Sequence, residues 1–137
     1  MRFKAILQAS ILLGLAGCSA GADVSLAEAE VPKFHQMLDS GQSSQIYSTS
    51  SEDLKGVATQ SDFRALLDAV HRKLGPTRSS EKRSWNINFH TSGEFVTLVY
   101  ETQYAQGNAT EQFVYRIQAN QALLAGYHVN SNALITN

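Results

Sequence analysis

The amino-acid sequence predicts an α+β domain in which N-terminal helices pack on a four-stranded antiparallel meander sheet. Three observations predict this class. Apolar residues recur at helical spacing as far as Leu74, they alternate with polar residues after Arg83, and short turn sequences divide the second half into four segments. Helices that precede strands, rather than alternating with them, indicate an α+β domain.

The first helix is predicted to begin near Val31 or Pro32, because proline is compatible with the first turn of a helix. Its apolar face is formed by Val31, Phe34, Met37 and Leu38, and residues 39–41 (Asp-Ser-Gly) end it. Further on, Ser51-Glu52-Asp53 indicates a short helical turn.

The clearest helical pattern covers residues 61–74. Ser61 is a natural N-cap, Asp62 suits the positive end of the helix dipole, and Gly75-Pro76 ends the helix. The apolar face of this helix consists of Phe63, Leu66, Leu67, Val70 and Leu74. Such a face requires a sheet or another helix to cover it.

Four strands are predicted after Arg83. They cover Trp85–Phe89, Phe95–Tyr104, Phe113–Ile117 and Leu123–Val129, and short polar or glycine-containing turns separate them. Strands joined by short turns pair as antiparallel neighbours, which gives a meander.

Composition narrows the classes of function. The chain has 137 residues, a formal net charge of −1 and one cysteine, so it forms a single domain without an internal disulfide bond. A slightly acidic domain lacks the basic surface that nucleic acids require, so we expect no nucleic-acid partner. The four histidines show no metal-ligand spacing, and we expect no metal and no cofactor.

The N-terminal segment has the layout of an export signal. Arg2 and Lys4 precede an apolar stretch at residues 5–15, which is too short to span a bilayer. Leu15-Ala16-Gly17-Cys18 follows and resembles the bacterial lipobox, in which the cysteine carries a lipid and becomes the mature N-terminus. This resemblance implies a signal peptide at 1–17, a lipidated tether at 18–30 and a single domain at 31–137.

The lipobox resemblance implies a location as well as a modification. Ser19, rather than the aspartate that retains enterobacterial lipoproteins in the inner membrane, favours the outer membrane facing the periplasm. An alternative remains, because Ala20-Gly21-Ala22 fits ordinary signal cleavage before Asp23. That cleavage would remove Cys18 and release a soluble periplasmic protein.

The rest of the chain resembles a small exported bacterial domain of unknown function with a cystatin-like, or nuclear-transport-factor-like, fold. The resemblance covers residues 31–135 and is carried by Phe34-x-x-x-Leu38-Asp39-x-Gly41, Tyr47, Leu74-Gly75, the strand Phe95 to Thr102, Glu111 and Gly126-Tyr127-His128-Val129. It implies a curved sheet with helices in its concave face and a cone-shaped cavity. Relatives of this fold include enzymes, ligand binders and interaction modules, so the fold does not decide the function.

Three residues are candidates for lining a cavity or contacting a partner: Glu101, Tyr127 and His128. A carboxylate in the middle of a strand acts as a base if burial raises its pKa, and otherwise faces water or pairs with a cation such as Arg116. His128 flanks the Gly126-Tyr127 pair and points away from Tyr127 on a strand. No catalytic constellation is recognisable.

The sequence therefore predicts a lipid-anchored protein of a bacterial envelope that is not an enzyme and binds an envelope protein or polymer. A small-ligand binder that uses the cone-shaped cavity is the alternative. An enzyme built around Glu101 or His128 ranks third.

Overall fold

The computed structural model describes residues 19–137, in which five helices and four strands follow one another. The elements are α1 (Ser19–Asp39), α2 (Ser43–Ser48), α3 (Glu52–Val57), α4 (Gln60–Leu74), β1 (Thr77–His90), β2 (Gly93–Tyr104), β3 (Gly107–Gln118), β4 (Gln121–Asn130) and α5 (Ala133–Thr136). The predicted signal peptide and Cys18 lie outside the described residues.

Helix α1 begins far earlier than the sequence analysis predicted. The predicted helix start near Val31 or Pro32 is wrong, and residues 19–30 of the expected tether are helical, because α1 is continuous from Ser19 to Asp39. Val24 and Ala27 are buried and extend the same helical face as Val31. Pro32 lies inside the helix on its exposed side.

Helix α4 is confirmed, although its cap differs from the prediction. Thr59, not Ser61, is the N-cap, and its Oγ1 accepts a hydrogen bond from the Asp62 backbone N–H at 3.1 Å. The predicted apolar face is buried except at Leu66, which is 39% exposed.

The four strands form one antiparallel sheet in the order β1-β2-β3-β4, which confirms the meander. Strand β1 starts at Thr77 rather than near Trp85, and its pairing with β2 is irregular between Lys82 and Ser84. Ala119 and Asn120 both have positive φ (49° and 58°), as in the tight type I′ turns that join antiparallel strands.

The core lies between the concave face of the sheet and helices α1 and α4. Alternate residues of β2 and β3 point into it, as pleating requires, and Phe113 of β3 is fully buried at its centre. Its ring contacts those of Phe34 on α1 and Tyr127 on β4, with centroids 5.1 and 5.3 Å away. Side chains therefore fill this part of the cone-shaped cavity that the family resemblance implies.

No helix among residues 19–137 has the length and the apolar content needed to cross a membrane.

Candidate functional site

A buried carboxylate, Glu111 on β3, is the centre of the most unusual polar arrangement in the described chain. Its Oε1 accepts hydrogen bonds from the hydroxyls of Tyr104 at 2.5 Å and Tyr127 at 2.6 Å. Its Oε2 accepts from Thr102 Oγ1 at 2.6 Å and lies 2.7 Å from His35 Nε2. We call these five residues the Glu111 network.

Strand pleating explains how the sequence assembles the Glu111 network. Thr102 and Tyr104 are two residues apart on β2, and Glu111 is two residues from Phe113 on β3, so all four point to the concave face. Tyr127 lies opposite Phe113 across the β3–β4 pair, diagonal to Glu111.

The network holds a negative charge in the interior. Burial by itself would raise the pKa of Glu111, but the hydrogen bond and positive charge of His35, with the hydroxyls of Thr102 and Tyr104, bring that pKa below its usual value. An ionised carboxylate only accepts hydrogen bonds, so His35 Nε2 is the donor. Burial and the neighbouring Glu111 raise the pKa of Tyr104 and Tyr127, so both remain protonated donors.

The chemistry available to Glu111 is limited, because four donors already satisfy both of its oxygens. A carboxylate acting as a base needs a free oxygen within reach of a substrate proton. Glu111 is fully buried and has none, so the network orients its members and stabilises the packing of α1 on the sheet.

A groove of about 490 Å³ opens beside the network, between α1 and strands β1 and β2. His35 and Ser80 line it and also touch the network, since Ser80 Oγ lies 2.8 Å from Thr102 Oγ1. Its other walls include Pro32, Gln36 and Tyr100. We call it the His35 groove.

A second groove, of about 520 Å³, lies between helices α3 and α4 and strands β3 and β4. Its lining is mainly apolar and includes Leu54, Phe63, Leu66, Phe95, Val114 and Gly126. Asp53 and Asp62 also line it, and we call it the apolar groove. A third depression, of about 400 Å³, lies between α1 and the start of β4.

Helix α3 is fixed to the sheet beside the apolar groove by a bidentate ion pair. Arg116 on β3 donates from Nε and Nη2 to the Asp53 carboxylate at 2.5 and 2.7 Å, and from Nη1 to the Ser92 carbonyl at 2.7 Å. The hydrogen bond from Arg116 lowers the pKa of Asp53 to about 2. The guanidinium also lies over the Phe95 ring, 4.7 Å from its centroid.

The three residues that the sequence singled out lie in different surroundings. Tyr127 is buried in the Glu111 network, and both Tyr127 and His128 line the apolar groove, where His128 is exposed. Glu101 accepts from Thr110 at 2.6 Å on the surface of β2, with β3 between it and His128. The alternative pairing of Glu101 with Arg116 is wrong, since Arg116 binds Asp53.

The sequence analysis missed His35 and Glu111 as partners. The alternating pattern predicted the third strand only from Phe113, whereas β3 starts at Gly107 and contains Glu111 well inside it. Extending the alternation of Phe113 and Tyr115 backwards places Glu111 on the core face, so a signal was present. Among residues 19–137, no group of three or more histidine, cysteine or carboxylate side chains is arranged to hold a metal ion.

The sheet, the helices in its concave face and the occupied cone define a small α+β domain of the nuclear-transport-factor-like kind. A crystal structure described as "Putative Scytalone Dehydratase", from Novosphingobium aromaticivorans, shares this fold. It is 9% identical in sequence, the match covers 82% of this chain and 86% of that chain, and the TM-score is 0.51. An identity this low shows the fold alone.

A family model described as "Protein of unknown function (DUF4019)" matches residues 31–127. The match covers more than half of the chain, so the protein belongs to this family. No curated protein matches the chain significantly.

Proposed function

We propose that this protein is a non-catalytic, lipid-anchored binding module of a bacterial cell envelope, and that it holds a partner protein in the apolar groove. The observation that carries the proposal is the saturation of Glu111 by four donors within a packed interior. The interior carboxylate is occupied by structural bonds, which leaves surface grooves for recognition.

The apolar groove suits a protein partner for two reasons. Val57 and Leu66 at its rim are 85% and 39% exposed. Covering such apolar side chains with a partner is favourable, because it removes apolar surface from water. The Asp53–Arg116 ion pair fixes one wall in advance, which reduces the entropy lost on binding. The exposed carboxylate of Asp62 at the rim favours a partner segment that carries an apolar side chain beside a basic one.

Lipid attachment is tested on Cys18. The Cys18→Ser variant is expected to lose fatty-acid labelling and to leave the detergent phase, because serine has no thiol to form the thioether. Retention of both properties in Cys18→Ser would contradict the anchor, and so would a mature protein that begins at Asp23.

The groove is tested by cross-linking in intact cells. A photoreactive amino acid at Leu66 is expected to give one reproducible protein adduct, and the same amino acid at the neighbouring exposed Ala65, which does not line the groove, is expected to give none. An unlabelled copy of the protein that carries Leu66→Glu should compete for the partner less well than an unlabelled wild-type copy, and should therefore reduce that adduct less. Equal adducts at both positions, or none at either, would refute binding in this groove.

A second candidate function is small-ligand binding in the His35 groove, with acid–base chemistry at His35 as its catalytic form. It is favoured by one observation: His35 and Ser80 line an open groove while both touch the buried network. The carboxylate behind His35 orients its ring, as in catalytic pairs of a histidine and an acid.

Ligand-observed NMR with a fragment library tests this candidate. Fragments that bind the wild-type protein are expected not to bind the Gln36→Trp variant, because the new side chain fills the groove from α1. They should still bind the Gln45→Trp variant, since Gln45 is an exposed residue of α2 outside the groove. Binding that survives Gln36→Trp, or a library with no binder, would eliminate this function.

A further inference from the structure

Trp85, Ile87 and Phe89 form a row of apolar side chains on the edge strand β1, which we call the aromatic row. It is largely exposed, although it points to the helix side of the sheet. Trp85 and Ile87 pair with Leu98 and Val96, which are fully buried, and Phe89 follows two residues later on the same face. Yet Trp85 is 54% exposed and Phe89 is 74% exposed. The row spans about 14 Å along β1, taking ~3.4 Å per residue.

The row lies at the end of the molecule where α1 begins. Helix α1 begins near the β1–β2 turn, where Asp23 is close to Glu94. Further along the helix, Glu28 forms an ion pair with Lys82 of β1. At the end of the helix, Asp39 accepts a hydrogen bond from the Thr77 N–H at the start of β1. Phe89 is the direct cross-strand neighbour of Glu94. The first turns of α1 and the aromatic row therefore share one end of the domain.

The chain outside the described residues ends within reach of this row. Ser19 is the first residue of α1 and is one peptide unit, about 3.8 Å, from Cys18. Asp23 lies about 6 Å further along the helix axis, at ~1.5 Å per residue. A lipid attached to Cys18 would therefore bring the bilayer surface close to Phe89.

Uncharged residues flank the row on the side of α1, whereas the carboxylates of Asp23 and Glu94 lie at its Phe89 end. Glu28 marks the side of α1 that faces β1. The exposed residues on this side, one or two helical turns from Glu28, are Gly21, Ser25 and Pro32, and all three are uncharged. Lys82 is paired with Glu28. Tryptophan is enriched at the headgroup level of bilayers, and tryptophan and phenylalanine occur on the lipid-facing side of helices that lie in the interface.

We propose that this face, formed by Trp85, Ile87, Phe89 and the flank of α1 at Gly21 and Ser25, lies against the lipid bilayer to which Cys18 is attached. The inference rests on the lipid anchor of the proposed function and adds an orientation to it. Strand β1 lies along the membrane surface, and the apolar groove, on the α3 and β4 side of the sheet, faces away from the lipid and stays open to a partner.

Trp85 is the only tryptophan of the chain, so its fluorescence reports on this face alone. The lipidated protein is reconstituted into phosphatidylcholine vesicles with or without brominated acyl chains. We expect brominated lipid to reduce Trp85 emission at least twofold, and Phe89→Ser to halve that quenching while the protein still sediments with the vesicles. Val57→Ser, also highly exposed but in the apolar groove, is the matched control and should quench like wild type.

Each failure has a distinct signature. Sedimentation with vesicles without quenching would overturn the orientation and leave the anchor intact. A blue shift that rises with protein concentration and ignores brominated lipid would mean that a second copy covers the row, which also overturns it. Loss of both sedimentation and fatty-acid labelling would refute the anchor, and the orientation with it.

Discussion

At the level of single residues, Glu111 shows how a charge is tolerated in an apolar interior. An ionised carboxylate without partners would be destabilising by several kcal/mol, on the order of the desolvation penalty of a buried ion. Here Tyr104, Tyr127, Thr102 and His35 supply four hydrogen bonds to Glu111 of β3, and these donors come from three other elements, α1, β2 and β4. The network therefore stabilises one specific arrangement of α1, β2, β3 and β4.

Replacing Glu111 by glutamine should be strongly destabilising. The amide –NH₂ would face two donors, which leaves buried groups unpaired, so we expect a loss of about 3 kcal/mol in the free energy of unfolding. Urea denaturation measures it. Glu101→Gln, on the exposed side of β2, is the control and should change stability by about 0.5 kcal/mol or less. Similar losses in the two variants would contradict a special role for Glu111.

The ionisation of Asp53 makes the stability of the folded protein depend on pH. Because folding lowers the pKa of Asp53 from its ordinary value of 3.8 to about 2, its stabilising contribution is complete above pH 3.8 and disappears as the pH falls through about 2. Asp53→Asn should therefore lower the thermal midpoint at pH 7 and lose this difference as the pH approaches 2. Thermal melts across this range measure it, and a difference that does not depend on pH would contradict the ion-pair explanation.

At the level of elements, α1 is the part of the fold whose extent the sequence obscured. Its apolar positions before Pro32 are sparse, and its small and acidic residues are typical of a linker. Burial of Val24 and Ala27 against the sheet nevertheless keeps the helix continuous, since most helical stability in proteins comes from packing. A proline on the exposed side does not interrupt it here.

Truncation distinguishes a tether from a packed helix. A chain that begins at Ser19 should melt like the full-length protein, whereas one that begins at Val31 should lose about 2–4 kcal/mol, because it no longer buries Val24 and Ala27. Chemical denaturation of the two chains measures the difference. Equal stability would restore the interpretation of residues 19–30 as a tether.

At the level of the whole molecule, the open sheet has an exposed edge at β1. A long edge strand invites pairing with another copy unless charges or irregular pairing interrupt it. In β1 these features coincide, because Glu81 and Arg83 form an exposed ion pair beside the irregular step between Lys82 and Ser84. The edge is thereby protected while the aromatic row further along remains accessible.

Removing this protection should cause self-association. The double variant Glu81→Thr/Arg83→Val makes the middle of β1 a regular β-forming edge, so we expect oligomers or precipitation in size-exclusion chromatography and light scattering. Arg64→Val, an exposed position on α4, controls for loss of charge and should stay at the size of wild type. A double variant with unchanged size would contradict the protective role of this pair.

The sequence by itself determined the elements whose signals are local. The apolar face of α4, the Gly75-Pro76 stop, the turns between strands and the alternation within β2 depend on residues close together in the chain, so the α+β class and the four-stranded meander could be predicted. The start of β1 was missed, because its first half is polar on both faces and shows no alternation of burial.

The tertiary structure alone decided the site. His35 and Glu111 are 76 residues apart, and only the packing of α1 across the sheet brings them within 2.7 Å. In the same way, Asp53 meets Arg116 across 63 residues, and the aromatic row meets the beginning of α1 only because that helix starts at Ser19. Contacts between distant segments depend on how the elements pack against one another, and this packing has no local sequence signal.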